Sequence, residues 1–486
     1  MSPTASTRDA IALDDWVATQ TRFSTTAALA AISATHLVME RPAFGQRLVP
    51  RPGSVLASPV VAHYDPEPDY FFHWFRDSAI VIDALRTARA ERDAGGQVLE
   101  RFGEFVDFSL ALRASPRTTF FRDTDLAART HPSYREYLRP EAELAALSDS
   151  RLATDVRVNA DGTPDFLRWG RPQFDGPAMR YITLLRWQHD LTQAHSPLRA
   201  RLGELSDSDL TLTLECADEP CFDIWEEQRG YHYYTQLVQA EALRLGADWC
   251  ERHGQAERAD RCQAAEQRIA RRLEASWNER SGIYRARTAV DAEAIGAEPD
   301  IAVILAVLHA GRTHGAHSVL DPRVQSTLGV LEDLFEHEYR INRGLPSGRA
   351  PALGRYASDR YYGGGAWFVA TLAAAEFYFQ LAYALRAGAE LADSEENRPF
   401  RERLAAAAAI PEEPTIPGEP MATAALQRGD GFLRTVQAFT PPGGELSEQF
   451  DRTTGAATSA RHLTWSYAAF ITAAASRTQA LRPTAA

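Results

Sequence analysis

The stretch AWFVATLAAAEFYFQLAYAL, residues 366–385, carries a single charge, Glu376, and the helix it predicts has apolar side chains on every side. Such a helix must be covered all round. The chain has no run approaching the roughly 18 unbroken apolar residues of a membrane span, so the cover is expected to be protein. The segment from Leu463 to Ala475 reads the same way. Others are two-faced: over 256–275, Cys262, Ala265, Ile269 and Leu273 recur at helical spacing among Arg, Glu and Gln. Helices are expected near 14–36, 77–92, 97–113, 175–194, 198–216, 231–252, 256–275, 300–311, 324–336, 366–388, 421–438 and 463–478, with a short one over 396–409. Alternation of covered and two-faced helices predicts an all-α domain over 14–480, built as two concentric rings of six.

Apolar residues make up 45% of the 486, ample for a large core. The net charge of −13 disfavours nucleic acid as a partner. All 52 cations are arginine. The N-terminus MSPTASTRDA has no charged region followed by an apolar stretch, so no signal peptide is expected and a cytoplasmic monomer is the simplest reading. Residues 1–13 read as a disordered tail, 480–486 as a disordered end, and IPEEPTIPGEP, 410–420, as a connecting belt. Cys216, Cys221, Cys250 and Cys262 form no zinc pattern; free buried thiols are expected, with a Cys216–Cys221 bridge as the alternative.

The stretches preceding the presumed inner helices are distinctive: FFHWFRDSA, RWGRPQFDGPA, FDIWEEQRG, AEPDIA, GRYASDRYYGGGAW and LSEQFDRTTGAATSARHLTW. Each mixes turn residues with charges or aromatics. For Asp175 and Asp300 helix capping is the expected role. If the inner helices run parallel, the loops gather Arg76, Asp77, Glu226, Glu227, Arg355, Asp359 and Glu448 among Tyr70, Trp74, Trp169, Trp225, Tyr361, Trp367 and Trp465. Aromatic faces with arginine forks and carboxylates suit a sugar, whose ring has apolar faces and a belt of hydroxyls. Glycoside cleavage needs one protonated and one ionised carboxyl group. Adjacent glutamates beside an indole repel, and repulsion and burial both favour keeping one neutral. Singly, each signal has an ordinary structural explanation: a solvated glutamate pair at a helix start, a core tryptophan, a structural salt bridge.

In order along nearly the whole chain, DYFFHWFRDSA, WGRPQFDGPAMR, DIWEE, GRYASDRYYGGGAW and SEQFDRTTGAATSARHLTWSYAAF resemble the glucoamylase family, glycoside hydrolase family 15. The resemblance implies an (α/α)6 barrel and an inverting, exo-acting hydrolase that releases β-D-glucose from non-reducing ends, with no cofactor or metal. It implies Glu226 as general acid and Glu448 as the base that activates water. Arg76, Asp77, Glu227 and Arg355 would contact the sugar; Trp169 and Trp465 would line the pocket; Tyr70 would stand near the reacting carbon. Trp225, Tyr361 and Trp367 complete the expected substrate-binding set. The chain departs from the family at Phe75, Gln228, Arg229 and the GGGAW turn. These departures are expected near the second sugar, leaving α-1,4 and α-1,6 linkages both open. A non-catalytic sugar sensor has no need of a base such as Glu448. A terpene-cyclase-like barrel lacks its Asp-rich motif here.

Overall fold

A computed structural model describes residues 12–62, 66–92, 96–114, 120–121, 124–288, 298–407 and 419–482. The expected 1–13 tail, but for Ala12 and Leu13, lies outside these residues. So does the belt, apart from 419–420, which open a helix, and the last four residues of the expected C-terminal tail.

The long helices are α1 (Leu13–Ala30), α2 (Phe75–Arg92), α3 (Gln97–Ala114), α4 (Asp175–Asp190), α5 (Ser196–Cys216), α6 (Tyr233–Arg252), α7 (Ala256–Ala275), α8 (Ala302–Ala310), α9 (Pro322–Glu338), α10 (Phe368–Arg386), α11 (Arg398–Ala407), α12 (Glu419–Phe439) and α13 (Thr464–Leu481). They match the twelve expected helices and the short thirteenth, with ends shifted by a few residues.

The chain divides into two compact units: Ala27–Arg272, and a second comprising the chain up to Thr26, Leu273–Thr288 and the described residues from 298 on. Within the first, α4 packs on α2, α5 and α6, and α3 packs on α5. A buried fork from Arg180 to Asp209 ties α4 to α5, with bonds of 2.8 and 2.7 Å. Within the second, α10 packs on α12, α13 and α8. Helix α10 is long and apolar enough to cross a membrane by length and composition, but 78% of its apolar window is buried in protein. It is a core helix, as its all-round apolar surface requires.

Short antiparallel ladders set the loops that precede the helices. β1 (Phe72–Trp74) pairs with β2 (Arg157–Asn159), leading directly into α2. β3 (Cys221–Phe222) and β4 (Arg229–His232) form a hairpin leading into α6. β5 (Ala366–Trp367), β6 (Gln449–Phe450) and β7 (Ala457–Thr458) form a three-stranded sheet leading into α10. All four cysteines are buried free thiols, so the Cys216–Cys221 bridge does not form.

Candidate functional site

The expected site residues fall into two clusters, one in each unit. In the Ala27–Arg272 unit, the two glutamates do not stand at a helix start. They sit at the tip of the β3–β4 hairpin, six and seven residues before α6. A turn built on Asp223 makes the tip: the Glu226 N–H donates to the Asp223 carbonyl at 2.9 Å, and the N–H groups of Glu227 and Gln228 both donate to Asp223 Oδ1 at 2.8 Å. Glu226 takes a left-handed backbone conformation, φ 67°, uncommon for a residue with a side chain. The WGRPQ loop lies against it: the Phe222 N–H donates to the Pro172 carbonyl at 2.9 Å, and a Cβ on Gly170 would strike the Glu226 carbonyl. The two neighbours thus separate, Glu226 turned inward and Glu227 exposed. Trp225 is buried beside them.

Both carboxylate oxygens of Glu226 accept indole N–H groups. Trp74 donates to Oε1 at 2.8 Å and Trp169 to Oε2. Tyr70, Trp74 and Trp169 form an edge-to-face run, with ring centres 5.4 and 6.2 Å apart. Arg76 Nη2 lies 3.5 Å from Glu226 Oε1 and 3.1 Å from Asp77 Oδ2. Arg76 Nη1 donates to Gln173 at 2.7 Å and to Asp175 at 3.2 Å. Burial works against the Arg76 charge, but Asp77, Asp175 and Glu226 more than offset it and raise its pKa. Burial pushes Asp77 up to about 6; Glu226 and Asp175 add to this and Arg76 opposes it. Asp77 Oδ2 is buried and, among the described residues, has no hydrogen-bond donor in good geometry. The capping role expected of Asp175 is secondary to its bond with Arg76. Asp300 does cap, accepting the Ala302 N–H at 2.8 Å.

In the other unit, Arg355 forms a closed fork with Asp359, with bonds of 2.8 and 2.5 Å. Asp359 Oδ1 also accepts the Tyr361 N–H at 2.9 Å. The Arg355 guanidinium lies 5.3 Å from the Trp367 ring centre and 5.4 Å from that of Tyr361. Glu448 enters β6, its N–H bonded to the Ala460 carbonyl at 2.8 Å and its carbonyl accepting the first N–H of α10. Its side chain is buried, and Oε2 accepts the Ser459 hydroxyl. Trp465, buried in the first turn of α13, lies 6.2 Å from the His309 ring. Gly364, at φ 62°, permits the turn into β5; a Cβ there would strike the Asp359 carbonyl.

Two of the departures from the family pattern differ in burial. Phe75 is core, packed with Phe108, Leu112, Leu152 and Leu212. Gln228 and Arg229 lie exposed on the hairpin. The motif reading missed Asp175 as a site partner, together with Gln173, Ser459 and Arg157. Gln173 and Ser459 lie inside the quoted motifs, whereas Arg157 lies in none. Among the described residues no group of three or more His, Cys, Asp or Glu is placed to hold a metal ion.

The family model for glycosyl hydrolases family 15 matches residues 155–475. The chain is 27% identical over 434 residues to glucoamylase 1 of Rhizopus oryzae, covering 87% of this chain and 67% of that protein. It is 28% identical over 439 residues to the probable glucoamylase of Schizosaccharomyces pombe, covering 87% and 84%. The structure of the family 15 glucoamylase from Hypocrea jecorina superimposes with a TM-score of 0.77 at 26% identity, covering 96% of this chain and 72% of that one. The expected (α/α)6 barrel class is the fold of these structures.

Proposed function

This chain belongs to glycoside hydrolase family 15, and we propose that it releases β-D-glucose from the non-reducing ends of α-1,4-linked maltooligosaccharides with inversion. Glu226 gives its proton to the glycosidic oxygen as the bond from that oxygen to the anomeric carbon breaks. Glu448 takes a proton from a water whose oxygen bonds to the opposite face of that carbon. The observation that carries this reading is the grip on Glu226. Two indole N–H groups, one on each oxygen, are placed to stabilise the carboxylate left when the proton departs. Around it, the half-buried Tyr70 and Trp169 leave ring surface for a sugar, while Trp74 is buried behind them. Asp77 offers a buried oxygen that a sugar hydroxyl would satisfy. Trp225, Glu227, Arg355, Tyr361, Trp367 and Trp465 are assigned to substrate binding in the same reading.

Glu226→Gln is expected to lower turnover of maltose by about 10³-fold and that of α-glucosyl fluoride far less, because fluoride departs as a stable anion with little need of a proton. Glu448→Gln should impair both substrates alike. Parallel losses in Glu226→Gln would show that the acid is misassigned. Glucose release from maltose, maltotetraose, isomaltose and dextran, measured side by side, tests the linkage; faster turnover of isomaltose than maltose would replace α-1,4 with α-1,6.

A further inference from the structure

Beneath the indoles that grip Glu226 lies a charge that the proposed chemistry does not use. Arg157 stands opposite Trp74 in the β1–β2 ladder and is fully buried. Its Nε donates to Asp165 Oδ2 at 2.8 Å, while Nη1 and Nη2 meet no hydrogen-bond acceptor among the described residues. Instead the guanidinium carbon lies 3.7 Å from the ring centre of Trp169, 4.0 Å from Phe72 and 4.7 Å from Trp74. A buried cation with so many unmet donors is costly to keep. Asp165 supports it. Burial alone would raise the pKa of Asp165, but Arg157 and Arg171 hold it well below the usual carboxylate range.

A cation over the face of an aromatic ring draws π-electron density towards itself, leaving the ring edge, where an indole carries its N–H, more positive. Both rings spend that N–H on the same carboxylate, one on each oxygen. The other charges around the group act differently. Arg76 approaches Oε1 directly, with Asp77 and Asp175 paired to it. Glu227 follows in the chain and is exposed. Arg41 lies 4.0 Å from the Phe72 ring centre and is itself forked to Asp69. Arg157 alone among these lies against both donor indoles.

We propose that Arg157 is a positioning residue for proton donation. Through the faces of Trp74 and Trp169 it strengthens the two hydrogen bonds that receive negative charge as the Glu226 proton passes to the glycosidic oxygen. The inference rests on Glu226 being the acid.

Arg157→Met keeps most of the apolar stem and removes the charge. We expect kcat on maltose to fall about 10-fold with KM within about twofold, and kcat on α-glucosyl fluoride to fall less than about twofold. Arg157→Lys, which retains a cation, should recover most of the maltose rate. Equal losses on both substrates, or a lysine variant as slow on maltose as the methionine one, would overturn the proposal in favour of simple packing. If Arg157→Met does not fold, the lysine variant still decides: a kcat on maltose within about twofold of the parent supports the proposal, and a larger loss shared equally by both substrates overturns it. In a Trp169→Phe background, which lacks one of the N–H groups, the cost of Arg157→Met should shrink; an undiminished cost contradicts the relay. Glu226→Gln is the control: if it slows both substrates equally, the assignment of the acid fails, which is a different result from failure of the Arg157 relay.

Discussion

Two arginine–aspartate pairs stand in the two clusters, and they are bonded in different ways. Arg355 and Asp359, four residues apart, close a two-bonded fork, and a backbone N–H takes further capacity from the aspartate. Arg76 and Asp77 are sequence neighbours and cannot face each other as a fork. They approach to 3.1 Å, and among the described residues the buried Asp77 Oδ2 has no well-aligned donor. A closed fork is what a scaffold needs. A half-satisfied carboxylate beside a catalytic candidate is what a hydroxyl ligand needs. In the proposed reading the Asp359 carboxylate is committed within the protein, whereas Asp77 keeps an oxygen for the sugar.

The largest effect expected from this contrast is on catalysis. Asp77→Asn should lower kcat/KM on all oligosaccharides by at least about 3 kcal/mol, the scale of a buried charged bond broken on one side. Its melting temperature at pH 7 should not fall. A variant that melts early yet turns over normally would move Arg76 and Asp77 to the scaffold. Asp359→Asn should do the reverse in emphasis, costing about 3 kcal/mol of stability by leaving buried Arg355 without its fork. Denaturant unfolding measures this, and unchanged stability would erase the contrast between the pairs.

The third expectation is a pH dependence with a definite sign. Folded Asp77 is pushed up to about 6, above the unfolded value of about 4. The native state therefore holds the proton more tightly between those values. This group's contribution to stability is full below about pH 4 and is lost as pH rises through about 6, amounting to roughly 2–3 kcal/mol. Asp77→Asn should remove that slope and be at least as stable as the parent at pH 7–8; a slope that persists in the variant assigns it to another group. The smallest effect is expected at Ser459, whose hydroxyl donates to Glu448. Ser459→Ala should slow turnover by a factor worth about 1 kcal/mol without altering the fold; a fully active variant would leave that bond without a part in catalysis.

Helices were legible because each is encoded locally. The all-round apolar segment at 366–385 had to become a covered helix, and α10 is one. The short ladders were not legible, since strands of two to four residues carry too little periodicity of their own. They nonetheless place the chemistry. The β3–β4 hairpin gives DIWEE, expected in the loop before a helix, a turn that parts the two glutamates. The β1–β2 ladder carries Arg157 beneath Trp74 across more than eighty residues of chain. Motifs found Trp74, Trp169 and Glu226, but that both indoles end on one carboxylate depends on contacts 152 and 57 residues apart in sequence. Asp175 illustrates the same gap: its position at the start of a helix suggested a cap, and its bond to Arg76 depends on the fold.

The central claim is that Glu226 and Glu448 work as an acid–base pair with water between substrate and base. The most direct test is proton NMR of the first glucose released from maltotetraose by the intact enzyme, recorded before mutarotation mixes the anomers. The account predicts the β-anomer as the initial product, with the α-anomer growing in only as mutarotation proceeds. Release of α-glucose first would contradict it, because retention requires one of the carboxylates to attack the sugar directly.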